Sequence, residues 1–192
     1  MMAAEFGATA WGRAWLRTIE STAAAAPNTQ LPQARSLARG GAVTFTDVSA
    51  GRIGAEVVAR QNTYAVAIAV PRWDDATRAR VRALLDAAGR VGGAASGDLP
   101  DAVVAELLSA GIAVAAQPAE CGVSCTCTGR RSPCLHHLAT VYALVQQIDE
   151  EPALAVRLRS DDSHAGGSAD PGAPGRQDWV PLSEVDPATF YG

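Results

Sequence analysis

Lysine is absent from this 192-residue chain, and all sixteen of its basic residues are arginine. Together with the wealth of Ala, Val and Gly, that absence fits GC-rich codon usage in a bacterial source better than a functional choice. No apolar run approaches the roughly 20 residues needed to cross a bilayer, so no membrane role is expected. The start, Met1-Met-Ala-Ala-Glu-Phe6, lacks the basic and apolar stretches of a secretory signal, so a cytoplasmic location with reduced thiols is expected. An overall basic footprint is also missing. Residues 1–95 hold 11 Arg against 7 acids (+4), residues 96–150 hold 2 against 6 (−4), and residues 151–192 hold 3 against 7 (−4), leaving a formal net charge of −4. Strong non-specific nucleic-acid binding by the whole chain is therefore not expected. Nor does any Ser/His/Asp set stand at a suggestive spacing. Asp74-Asp75 and Asp161-Asp162 look like solvated faces. The glycines of Gly92-Gly93-Ala-Ala-Ser96-Gly97 are followed by no Lys-Ser/Thr, so they do not make a phosphate-binding loop. Internal repeats are not evident.

What the chain does have is concentrated in Cys121-Gly-Val-Ser-Cys125-Thr-Cys127-Thr-Gly-Arg-Arg-Ser-Pro-Cys134-Leu-His136-His137. Cys125-x-Cys127 followed by Cys134-x-His136 supplies three thiolates and one imidazole, the donor set of a closed tetrahedral zinc site. In extended chain, residues i and i+2 share a face, so Cys125 and Cys127 can reach one ion. Residues 128–133 then turn the chain back. Ser132 as N-cap and Pro133 at the first helical position predict a helix start there. Cys134 and His136 would lie in its first turn, where free N–H groups favour thiolate. Arg130 and Arg131 stand in the turn, placed to offset a site charge near minus one.

Disulfides are the first alternative, but a cytosolic chain keeps its thiols reduced. Redox catalysis is the second, and Cys-x-x-Cys is missing. Simple burial of cysteines does not account for so tight a Cys/His cluster. Two further residues compete as ligands. His137 would point about a quarter-turn away from His136 on a helix, and Cys121 reads as a small buried residue in a leading strand. His164 falls in a polar tail and is expected to be solvated.

The remaining pattern predicts an α+β fold in which a small antiparallel meander packs with helices. Thr9 to Ala25 reads as a helix with Trp11 and Trp15 one turn apart as core anchors, and Pro27 to Pro32 as a linker. Val43–Val48, Ile53–Arg60 and Thr63–Val70 read as strands joined at Ser49-Ala-Gly51 and Gln61-Asn62. Asp74 to Ala88 is expected to be helical, with Val81, Leu84 and Leu85 inward and Arg78, Arg80 and Arg82 outward. A further helix runs from Leu99-Pro100 to Ser109 and closes at Gly111. Ile112 to Ala116 is expected to be a strand leading into a β-hairpin and helix that hold the metal. Leu138, Val141, Val145 and Ile148 stripe the latter helix, and Ala153 to Arg159 forms a last one. The expected organisation is an N-terminal α+β region (1–118), a zinc finger (119–150), a terminal helix (151–160) and an acidic, largely flexible tail (161–192). Trp179, Val180, Leu182, Phe190 and Tyr191 make that tail a candidate docking segment, either onto its own domain or onto a partner.

The segment Cys125-x-Cys127 to Cys134-x-His136, with Ala139 and Val141-Tyr142-Ala143-Leu144 after it, resembles the SWIM zinc finger. Phe6-Gly7, Trp11-Gly12-Arg13-Ala14-Trp15, Ala38-Arg39-Gly40, Val70-Pro71, Gly97-Asp98-Leu99-Pro100 and Leu158-Arg159 are similar to flanking signatures of bacterial SWIM-domain proteins, so the likeness covers about residues 5 to 160. Thr128-Gly129 and Leu135 depart from the Pro-Asp and Lys that members often carry, without touching the ligands. Val114-Ala-Ala-Gln-Pro118 replaces a common aromatic-Pro stretch. The resemblance implies zinc as the metal and a role in nucleic-acid transactions beside a Swi/Snf-type helicase. A non-catalytic adaptor for protein or DNA is the first expectation, with DNA bound weakly by the chain alone. An enzyme with an unrecognised active site and a structural zinc is the alternative.

Overall fold

The computed structural model describes residues 6–20, 28–92, 99–129 and 131–160. Expectations for Arg130, for the 93–98 loop and for the 161–192 tail, with His164 and its aromatic residues, lie outside the described residues. Among the described residues the fold is the expected α+β arrangement: one antiparallel sheet of four strands in the order β1-β2-β3-β4, packed with six helices. The strands are β1 (Val43–Ser49), β2 (Arg52–Ala59), β3 (Asn62–Ala69) and β4 (Gly122–Cys125). The meander follows the alternation in the sequence. Ile53, Ala55, Val57, Val66 and Ile68 are buried, whereas Glu56, Val58, Ala65, Ala67 and Ala69 are exposed. One face of the sheet therefore carries the core and the other is solvated.

Helix α1 (Ala10–Ile19) is capped by Thr9, whose hydroxyl accepts from the Gly12 N–H at 3.0 Å. Trp11 and Trp15 are both buried, as their one-turn spacing predicts. The expected linker to Pro32 ends early, because α2 (Leu31–Arg39) begins there with a proline in its first turn. Proline is tolerated at that position, where its missing N–H would have no helical partner. Helix α3 (Asp75–Gly92) runs past the expected Ala88, and α4 (Asp101–Ser109) follows. Residues Ile112 to Ala116 form no strand. Ile112, Val114, Ala115 and Ala116 are nonetheless buried, so this segment is held by its side chains instead of a ladder. A single 3-10 turn, Pro118–Glu120, leads into β4.

Helix α5 (Leu135–Glu150) is the centre of the molecule. Every residue from His136 to Val145 is buried, along with Ile148, so the expected single stripe is in fact one part of a helix covered on all sides, with the polar His136, His137 and Thr140 buried among apolar residues. It packs against α1, α2 and the sheet. At its far end the Asp149 carboxylate accepts from the Gly7 N–H at 2.7 Å and from the Thr9 N–H and hydroxyl at 2.9 Å each. Gly12 is required beside it, since a β-carbon there would stand 2.0 Å from Asp149 Oδ1. Between α1, α2 and α5, Glu20 accepts from the Tyr142 hydroxyl and from Arg35. Helix α6 (Ala153–Arg159) spans the expected residues, and its Leu158 and Arg159 carbonyls accept from the Gly51 and Trp73 N–H groups at 2.9 and 2.7 Å. Among the described residues no helix is long and apolar enough to cross a membrane.

Candidate metal centre

Strand β4 carries Cys125 to the site. It is no free hairpin arm: it pairs antiparallel with β3, placing Cys125 opposite the inward Val66 and so on the core face. Just beyond it, Thr126 clamps the pairing. Its N–H donates to the Ala65 carbonyl and its hydroxyl accepts from the Ala65 N–H, both at 3.0 Å. Cys127 follows on the same face. The other two donors come from the start of α5, which lies two residues later than Pro133. Cys134 is the N-cap, with extended φ −80° and ψ 166°, and its sulfur accepts the His137 N–H at 3.4 Å. The sulfur thus takes the capping role expected of Ser132, and a thiolate is well suited to it because the helix end presents unpaired N–H groups. His136 stands in the first turn.

These elements bring together all four residues singled out by spacing. The donor atoms of Cys125, Cys127, Cys134 and His136 all lie within 4.8 Å of one another. With metal–sulfur bonds of about 2.3 Å, a tetrahedral ion needs donor separations of about 3.8 Å, so closure onto an ion requires only small side-chain movements. Cys125 Sγ and His136 Nδ1 already stand 3.7 Å apart. Three soft sulfurs with one imidazole suit a thiophilic, tetrahedral ion better than an oxygen-seeking one.

The surroundings tune the donors. Burial holds His136 below the usual imidazole range, keeping it neutral and ligand-competent. Burial pushes the Cys125 thiol up to about 12, whereas the Gly129 N–H beside its sulfur draws the Cys127 thiol down. A bound cation must therefore displace a proton from Cys125 across the neutral range. The Tyr64 ring of β3 stacks on His136, with centroids 3.9 Å apart and planes 18° from parallel. Thr140 donates to the His136 carbonyl at 2.9 Å. Sequence reasoning did not single out Tyr64 for this role; its only signal is an inward position in the alternation of β3.

The competing residues lie elsewhere. His137 and Cys121 line a small internal cavity with Trp15, Val141 and Leu144, and neither belongs to the four-donor cluster. Arg131, on the metal turn, is exposed and reaches Thr29 at 3.4 Å. Beside the cluster is a cavity of about 290 Å³ whose lining includes Gln30, Tyr64, Arg131 and three of the donors, Cys127, Cys134 and His136.

Fold and site together define an α+β domain whose central helix and sheet share a Cys3His cluster able to hold a metal ion. A curated relative is the uncharacterized protein Rv2102 of Mycobacterium tuberculosis (strain ATCC 25618 / H37Rv). The two are 30% identical over 149 residues, which cover 75% of this chain and 52% of that protein. The chain thus spans about half the length of this relative. No family model matches the chain, and no solved structure matches it.

Proposed function

We propose that this chain is a non-catalytic zinc-binding protein of the SWIM type, which acts as an adaptor in a nucleic-acid transaction beside a Swi/Snf-type helicase. The observation that carries the reading is the four-donor cluster within 4.8 Å. Four protein ligands complete a tetrahedral shell and leave no position for a reacting water, the mark of a structural rather than a catalytic zinc. When bound, zinc would neutralise the thiolates and tie β4 to the start of α5. The chain's residues then do the rest: the tie fixes the turn bearing Arg131, and the adjacent arginines of the sequence, Arg130 and Arg131, suit carboxylate or phosphate partners.

Elemental analysis of protein purified without chelator tests the metal. One zinc per chain is expected, lost in His136→Ala and retained in His137→Ala; a zinc-free wild type refutes the reading. Affinity purification from the native host tests the partner. Recovery of a helicase that is lost with Arg130→Ala/Arg131→Ala, at unchanged zinc content, is the expected result.

A further inference from the structure

The three sulfurs of the metal cluster are not equivalent. Cys125 is fixed by the sheet: it stands opposite Val66 in the β3–β4 ladder, packs against the hydrophobic core, and has His136 Nδ1 3.7 Å from its sulfur. Cys127 lies past the Thr126 clamp and outside β4, and Cys134 stands just ahead of α5 as its N-cap. Both line the cavity of about 290 Å³ together with Tyr64 and Arg131, whereas Cys125 does not line it. One sulfur is thus held at the core, and two border a space ample for a small hydroperoxide.

Those two sulfurs are also the pair best able to meet. The donor atoms lie within 4.8 Å of one another, and a disulfide needs about 2.05 Å. Cys127 and Cys134 both sit in irregular chain between β4 and α5, so side-chain rotation and a small loop shift can close the gap. The other pairings are worse placed. Cys125 and Cys127 are two residues apart on one extended face, about 6.6 Å between Cα atoms, close to the upper limit of about 6.8 Å for a disulfide. Cys125 could meet Cys134 only by leaving its place against the core.

We propose that Cys127 and Cys134 are a peroxide-sensitive thiol pair, whose oxidation to a disulfide expels the metal without unfolding the domain. The inference rests on the zinc reading of the cluster and adds a regulator to it. One sulfur of the pair attacks a peroxide oxygen, the O–O bond breaks, and a sulfenic acid forms as hydroxide leaves. The second sulfur then attacks the sulfenic sulfur, the S–S bond forms, and the remaining oxygen leaves as hydroxide. Two thiolates thereby give two electrons to peroxide, and two protons from solvent turn both hydroxides into water. Cys125 and His136 remain as donors, too few for a closed tetrahedral shell. The fold persists because neither the Thr126 clamp nor the packing of α5 on α1, α2 and the sheet runs through the two sulfurs. The disulfide itself keeps the turn over 128–133 closed.

The test titrates the zinc-loaded full chain with hydrogen peroxide. A chromogenic dye reads released zinc, alkylation with mass mapping reads the thiols, and circular dichroism reads the helices. One zinc should leave per Cys127–Cys134 disulfide, with Cys121 and Cys125 still alkylatable and the helical signal retained. Dithiothreitol with added zinc should restore the ion, and Cys121→Ala should release zinc at the wild-type rate. A disulfide that includes Cys125 or Cys121 overturns the proposal. So does zinc loss through sulfinic acid with no disulfide, or loss of the helical signal in step with the zinc. Zinc-loaded protein that keeps both ion and thiols under peroxide sinks this inference alone, whereas a chain that takes up no zinc sinks the reading beneath it as well.

Discussion

Gly12→Ala should destabilise the protein although alanine is the better helix former. The new β-carbon would stand 2.0 Å from Asp149 Oδ1 and 2.7 Å from its Cγ, so the carboxylate must swing away. It then loses three hydrogen bonds from Gly7 and Thr9. Bonds to a charged group contribute about 1.5–3 kcal/mol each; for this partly buried, non-additive set about 3 kcal/mol in total is reasonable. Alanine returns about 1 kcal/mol of helix propensity, for a net loss of about 2 kcal/mol. A double-mutant cycle with Asp149→Ala isolates the cause. In that background Gly12→Ala should be neutral or stabilising by up to about 1 kcal/mol, giving a coupling of about 3 kcal/mol. Urea unfolding of the zinc-loaded variants at constant m-value measures it. An equal loss in both backgrounds would refute the reasoning, since the clash would then lie with something other than the carboxylate.

Metal affinity should rise with pH, by about tenfold per unit from the Cys125 proton alone, because that thiol stays protonated up to about 12 until a cation displaces it; competition with a chelating dye from pH 6 to 8 measures the slope, and a flat profile contradicts the assignment. Tyr142 is held above the usual phenol range, chiefly by burial and by its bond to Glu20. A phenol raised on folding contributes stability that is present below the unfolded value of about 10 and lost as pH rises beyond it. Tyr142→Phe should therefore cost about 1 kcal/mol near neutrality and lose less than wild type above pH 10, as read from urea midpoints.

The meander was legible because each strand alternates buried and exposed residues, and α6 because its apolar residues fall between clear stops. Helix α2 was not. Its core stripe is short, with Ala34 and Ala38 buried and Leu31 and Leu37 half-buried, and Pro32 reads as a breaker although a proline is tolerated in the first turn. Strand β4 is four residues long and exists through pairing with β3, a long-range contact that no local pattern carries. The segment Ile112 to Ala116 misled for the opposite reason: its apolar run is real, but burial without a ladder makes no strand. At the metal site the four donors could be read from spacing alone. The helix start could not, because Cys134 competes with Ser132 as cap, and the sulfur that binds the His137 N–H settles it. The stacking of Tyr64 on His136 depends on the β3–β4 register and leaves no mark in the sequence.

The bonds from Gly7 and Thr9 to Asp149 span 142 and 140 positions of the chain. A growing polypeptide makes the tryptophan-bearing α1 early and the helix it docks on late. At about 5–20 residues per second, the ribosome leaves Trp11 and Trp15 without their final packing partner for roughly six to thirty seconds. Docking of α1 must therefore follow emergence of α5, whose first turn also carries two of the metal donors. Metal capture and burial of Trp11 and Trp15 thus wait on the same helix, and until it emerges the nascent chain presents the apolar face of an amphipathic helix without its cover.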